Sequence, residues 1–119
     1  MAHTAKSKKE KGVRLENKIV ELIKAVYGNS VTAKRMPKSG QLQDFKSDIF
    51  TNLPISIEAK NQENWKILEW WKQCNQDALK DNKFPVLVIS KNRLSEPLAV
   101  LTFTDLLILM HKNDSRTVS

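Results

Sequence analysis

Residues 84–90 (FPVLVIS) form a nearly continuous apolar run. Such a run suits a central β-strand covered on both faces, because a strand with one wet face alternates apolar and polar residues instead. A strand of this kind needs partners to pair with and helices to cover it, which draws the chain toward a layered α/β architecture. The 119 residues supply enough surface for one such core and too little for two.

The remaining elements follow from periodicity. Leu15, Ile19, Leu22, Ile23 and Val26 recur at helical spacing between Val13 and Tyr27, and Gly28 stands where a helix C-terminal glycine is expected. Ser30–Met36 and Phe45–Phe50 read as strands separated by a Pro37–Gly40 loop. After a tight turn over Thr51–Pro54, a third strand over Ile55–Lys60 puts Ile55, Ile57 and Ala59 on one face and Ser56, Glu58 and Lys60 on the other. Asn64–Leu79 is the longest predicted helix, with Ile67, Leu68, Trp71, Cys74 and Ala78 on one side and Trp65 and Trp70 outside that stripe. Leu98–Phe103 is a fifth strand, and Thr104 or Asp105 caps a closing helix through Met110. The expected order is α-β-β-β-α-β-β-α, with helices flanking a mixed five-stranded sheet. Residues 1–11 have almost no large apolar side chain and are expected as a flexible basic arm. Residues 12–111 form the single domain, and residues 112–119 a flexible tail.

One cysteine, Cys74, and two histidines, His3 and His111, are too few for a structural zinc site, so any metal is expected to be held mainly by oxygen. The longest apolar run, Leu106–Met110, falls far short of the roughly 20 residues of a membrane span. With no secretory signal at the N-terminus, a soluble cytoplasmic protein without membrane association is the expectation. The formal net charge is +7, and residues 1–40 carry ten Lys or Arg against three Glu. A polyanion suits such a concentrated field, and a merely solubilising face is the alternative.

Paired as a hairpin, residues 45–50 and 55–60 put Asp48 and Glu58 on neighbouring strands, with Lys60 two residues beyond Glu58 on the same face. Carboxylate oxygens are what Mg²⁺ prefers, and the ion keeps several waters and takes phosphate oxygens for the rest of its shell. Lys60 is then placed to position a nucleophilic water or to stabilise developing negative charge. An ordinary solvated strand face is the alternative for Glu58 and Lys60. Glu16 falls at the edge of the first helix's apolar stripe, from which its carboxylate reaches the rim of a cleft or lies in solvent.

Ser47-Asp48-Ile49 followed by Ile57-Glu58-Ala59-Lys60 resembles the PD-(D/E)XK nuclease signature, with Ser47 in place of its proline. The flanking residues resemble the archaeal and phage Holliday junction resolvases within that superfamily: Lys11-Gly12 with Glu16 four residues after the glycine, and Ser39-Gly40 before the metal-binding Asp. The resemblance spans about residues 11–111. It implies a restriction-endonuclease-like core. It also implies a homodimer that binds four-way or other branched DNA and resolves it by paired symmetric nicks, with Mg²⁺, or Mn²⁺ as substitute, and no small-molecule cofactor. Glu16, Ser39, Asp48, Glu58, Lys60 and Gln73 are its implied catalytic residues, with Asp48, Glu58 and Glu16 on the metal. Lys11, Arg14, Lys34, Arg35 and Lys38 are the residues expected nearest phosphate. Trp65, Trp70 and Leu106–Met110 exceed what one small domain comfortably buries and are expected in part at a subunit interface, with a generous core as the alternative. A phage-encoded chain would work in the host cytoplasm. The same motif also serves nicking, repair and restriction nucleases, and a nonenzymatic basic DNA-binding module on this scaffold is the reading from another class.

Overall fold

The computed structural model describes residues 5–36 and 47–112. Its elements are α1 (Ala5–Tyr27), β1 (Ala33–Arg35), β2 (Ile49–Thr51), β3 (Ile55–Asn61), α2 (Ile67–Asp81), β4 (Phe84–Ser90), β5 (Leu98–Val100) and α3 (Phe103–Lys112). This is the order that periodicity predicts. The strands, however, hydrogen-bond as two groups rather than one five-stranded sheet: β1 pairs antiparallel with β2, and β4 lies between β3, parallel to it, and β5, antiparallel. One main-chain bond joins the groups, from Asp48 N–H to the Ile57 carbonyl at 2.9 Å.

The parallel pairing of β3 with β4 requires a crossover, which α2 provides. The register sets Ile57 opposite Val86, Glu58 opposite Leu87 and Lys60 opposite Ile89. One face packs on α1, where Leu15 and Ile19 meet Ile49 and Ile57, with Ala59 and Val88 against them. The other face packs on α2, where Trp70 and Cys74 meet Leu87 and Ile89. Each of these eight buried side chains contributes about 1.5–3 kcal/mol if large, and less for Cys74. β4 is thus covered on both sides, as its composition requires.

Several boundaries differ from expectation: α2 runs Ile67–Asp81 rather than Asn64–Leu79, β1 covers only Ala33–Arg35 of Ser30–Met36, and β5 stops at Val100 with Phe103 opening α3. Further differences have identifiable reasons. Helix α1 starts at Ala5 rather than Val13, so residues 5–11, expected as part of a flexible arm, are helical. This stretch lacks apolar periodicity but is rich in Ala, Lys and Glu, which are strong helix formers, and Lys11 is buried at 7% exposure. Gly28 ends the helix at φ +64, as expected, and a single 3-10 turn follows over Gly28–Ser30. Helix α3 is capped not by Thr104 or Asp105 but by Thr102, whose Oγ1 accepts the Asp105 N–H at 3.0 Å. Lys112, expected in the tail, belongs to α3.

Trp70 and Trp65 both pack in the core, the alternative that the sequence leaves open beside an interface. Trp70 is 9% exposed within the α2-side cluster, and the half-buried Trp65 donates its Nε1–H to the Ser90 carbonyl at 3.0 Å. The apolar excess lies instead on α3, which has no buried residue, and exposes Phe103, Leu107 and Met110. No helix among the described residues is long and apolar enough to cross a membrane.

Candidate active site

Asp48 is held from three directions. Its carbonyl accepts the Met36 N–H at 2.9 Å, beside β1, and its own N–H donates to Ile57 of β3. Its Oδ2 accepts the Ala59 N–H at 2.7 Å, so the carboxylate stands where the next main-chain carbonyl of a ladder would be. The side chain is 2% exposed. A buried carboxylate fixed by a charge-assisted bond to an amide has little freedom of position. It rests against the residue that lies between Glu58 and Lys60; β2 and β3 do not form the expected hairpin ladder, and the main-chain bond to Ile57 together with this side-chain bond is what holds Asp48 beside β3.

Glu58 and Lys60 project from β3 toward α2. Strand alternation puts them on the face that carries Leu87 and Ile89, and α2 covers that face with Trp70, Cys74 and Asp77. The Lys60 ammonium lies 5.9 Å from the centre of the Trp70 ring, a cation–π distance that orients it without neutralising it. Cys74 is 1% exposed, and its thiol sits against the main chain of Glu58 and Val86. Burial pushes that thiol up to about 12, and the Glu58 carboxylate adds to the effect. A thiol this weakly acidic stays protonated, whereas the thiolate is the metal-binding form. The carboxylates of Asp48 and Glu58 offer oxygen donors, the kind that hard ions such as Mg²⁺ and Mn²⁺ take.

Glu16 does not join the two acids. It accepts the Arg35 Nε–H at 3.0 Å through Oε1, and among the described residues no group of three His, Cys, Asp or Glu side chains is placed to hold a metal. The expected three-carboxylate set is corrected on this ground: the neighbouring guanidinium claims Glu16. Asp48 and Glu58 are the acids at the Glu58-Ala59-Lys60 segment, and one or two carboxylates are what Mg²⁺ commonly takes from protein.

The other expected positions are placed as follows. Gln73 is exposed on α2 and donates its Nε2–H to Asp77 Oδ1 at 3.1 Å. Lys11, expected near phosphate, is buried and paired with Glu63 at 3.4 Å. Arg14 and Lys34 are exposed, with the Lys34 ammonium 5.2 Å from the Phe50 ring centre. Ser39, Gly40 and Lys38 lie outside the described residues. Beside the C-terminal half of β3 opens a cleft of about 390 Å³, lined by Lys8, Lys11, Gly12, Lys60, Asn61 and Glu63 among others.

Sequence reasoning missed three acids. Asp77, 7% exposed, and half-buried Asp81 lie on the stripe of α2 that carries Trp70 and Cys74, and Asp81 Oδ2 accepts the Ser47 hydroxyl at 3.4 Å. The Ser47 and Ser56 hydroxyls also bond to each other. The signal was present, since positions 70, 74, 77 and 81 recur at helical spacing. Glu63 is the third: it receives the Asn92 N–H at 2.6 Å and pairs with Lys11, and this amide, together with Lys11, keeps its carboxyl below the ordinary range.

The α/β core with two acids and a lysine on adjoining segments is that of a PD-(D/E)XK-type nuclease. Residues 7–119 match the family model described as "Phage putative PDDEXK endonuclease", and the chain belongs to that family. A search of the curated proteins finds no match. Nucleases of this superfamily are divalent-metal dependent, and Asp48 and Glu58 are the residues of this chain suited to hold the ion.

Proposed function

We propose that this protein is a Mg²⁺-dependent DNA endonuclease that acts as a homodimer on four-way and other branched junctions, nicking two symmetry-related strands. The single observation behind the reading is the bond between the Asp48 carboxylate and the Ala59 amide, which sets that acid against the Glu58-Ala59-Lys60 segment. Family membership supports nuclease activity. Selectivity for junctions rests on the Lys11-Gly12, Glu16 and Ser39-Gly40 resemblance, and the dimer on the exposed apolar side chains of α3.

In this reading Asp48 and Glu58 hold the ion, which when bound neutralises the scissile phosphate and lowers the pKa of a water. Asp48 enters the reaction already oriented by Ala59, so little reorganisation is needed when a phosphate arrives. Lys60 supplies a fixed positive charge beside the scissile phosphate, where charge develops on the departing oxygen.

The test incubates purified protein with a labelled four-way junction, a linear duplex and a single strand, each with Mg²⁺, Mn²⁺ or chelator. Paired nicks in the junction that need a divalent ion are expected. Equal cutting of all three substrates would remove junction selectivity and leave a nuclease of other DNA specificity. Binding without cutting under every condition would favour a nonenzymatic DNA-binding module.

A further inference from the structure

We infer that the groove between α1 and the loop joining β4 to β5 is a second phosphate-binding surface, which holds the DNA backbone beyond the point of cutting; the inference rests on the nuclease reading. The groove has a volume of about 290 Å³ and is lined by four cationic side chains, Arg14, Lys18, Lys91 and Arg93, and by no acidic one. All four are exposed, and none lies within ion-pair distance of a carboxylate among the described residues. Four cations around an open concavity, none of them in an ion pair among the described residues although Lys91 rests on Trp65 near Glu63, suit a chain of phosphates, whose counterions are released on binding.

The loop that presents two of these cations is built rather than slack. The Ser90 carbonyl accepts both the Trp65 Nε1–H at 3.0 Å and the Gln62 N–H at 3.1 Å, and the Asn92 N–H is bound by Glu63 at 2.6 Å. The Lys91 ammonium lies over the Trp65 ring at 5.2 Å from its centre. Arg93 adopts φ +69, a left-handed conformation in which a side-chain-bearing residue is disfavoured and glycine is at ease. Arginine at a position that backbone geometry would assign to glycine points to use of its guanidinium.

Asn61 connects this surface to the site. It follows Lys60 at the end of β3 and lines both the groove and the cleft beside Lys60. Its Nδ2–H is taken by the Lys11 carbonyl at 2.9 Å, while its buried Oδ1 has no donor among the described residues. Asn61 is therefore part of the wall that the groove and the cleft share, and the cations of the groove, not this buried oxygen, make the contacts to phosphate. Contacts of this kind position the duplex and carry no base preference.

The experiment measures equilibrium binding to a labelled duplex and a labelled four-way junction across a salt series, in chelator so that nothing is cut. Lys91→Gln/Arg93→Gln and Arg14→Gln/Lys18→Gln are compared with Lys72→Gln/Lys80→Gln, a pair of exposed α2 lysines that removes the same charge elsewhere. Each groove pair is expected to reduce the slope of log K against log salt by about two, and the α2 pair to leave it near wild type. Arg93→Gly is expected to reduce the slope by about one while leaving the melting temperature unchanged or higher, because glycine relieves the left-handed backbone. Groove pairs that keep the wild-type slope, or an α2 pair that loses as much, would overturn the groove. Wild-type protein that binds neither DNA would overturn the nuclease reading as well. Binding with normal slopes in the groove pairs, alongside cleavage that depends on Asp48, would overturn the groove alone.

Discussion

The Asp48 carboxylate substitutes for a main-chain carbonyl by accepting the Ala59 amide at 2.7 Å, so one side chain both closes the sheet and faces the site. The two roles separate by substitution. Asp48→Asn keeps an oxygen acceptor for Ala59 and loses the charge that binds a cation, so its stability should stay within about 1 kcal/mol of wild type. Its Mg²⁺-dependent cleavage should fall at least about a hundredfold. Asp48→Ala leaves the amide unpaired and should cost a further 1–3 kcal/mol or so. Denaturant unfolding and junction cleavage on the two variants check this, and an Asp48→Asn enzyme that cuts normally would remove Asp48 from catalysis.

Arg35 and Glu16 tie β1 to α1, and the Glu16 side chain is only 9% exposed while that of Arg35 is 34% exposed. Arg35→Met strands a nearly buried carboxylate and should destabilise by about 1–2 kcal/mol, a figure reduced because the guanidinium is partly in water. Adding Glu16→Gln to that variant should restore part of the loss. Glu16→Gln alone should leave the Mg²⁺ concentration for half-maximal cleavage unchanged. A metal requirement that rises as it does in Asp48→Asn would return Glu16 to the ligand set.

Why some of this was legible in the sequence and some was not follows from what periodicity records. The alternation over Ile55–Lys60 fixes which residues share a face, and it correctly separates Ile57 and Ala59, against α1, from Glu58 and Lys60, toward α2. The apolar run over Phe84–Ser90 correctly predicts a strand covered twice. Periodicity has no purchase on residues 5–11, whose helix is specified by propensity and by Lys11 meeting Glu63, 52 positions away. Nor could it show that the guanidinium of Arg35 occupies Glu16, since such a pairing depends on how β1 crosses α1. Trp70 falls outside a stripe centred on Trp71, whereas the observed stripe runs through Trp70, Cys74, Asp77 and Ala78, and centring it there places Asp77 on the buried face of α2 with Cys74.

Cys74 carries a pH dependence of definite sign. Its thiol is raised from 9.0 to about 12 in the folded protein, so between those values the unfolded chain releases a proton that the folded chain keeps. The contribution is intact below pH 9 and is lost as pH rises toward 12. Between pH 9 and 11 the wild type should lose about 2 kcal/mol more stability than Cys74→Ala, in which the group is absent. Parallel losses in the two proteins, measured by denaturant unfolding, would mean that the thiol does not sit in the desolvated position beside Glu58.

Helix α3 is the element whose chemistry is least served by the isolated chain. Phe103 is 73%, Leu107 49% and Met110 60% exposed, and Leu98 on the edge strand β5 is 46% exposed. Phe103, Leu107 and Met110 recur at helical spacing along α3, and exposed apolar surface gathered on one helix face is a usual mark of association. If a second copy covers it, a symmetric pair would bring the same helix from each chain together, as two-fold interfaces do. Phe103→Ser/Met110→Ser should then shift the protein from dimer to monomer in sedimentation, with the secondary structure retained because neither side chain is buried in the single chain. Paired nicking of a junction should fall more steeply than single nicking, since two active sites must act on one substrate. Wild-type protein that sediments as a monomer at tens of micromolar, or a variant that remains dimeric, would locate the partner of α3 elsewhere.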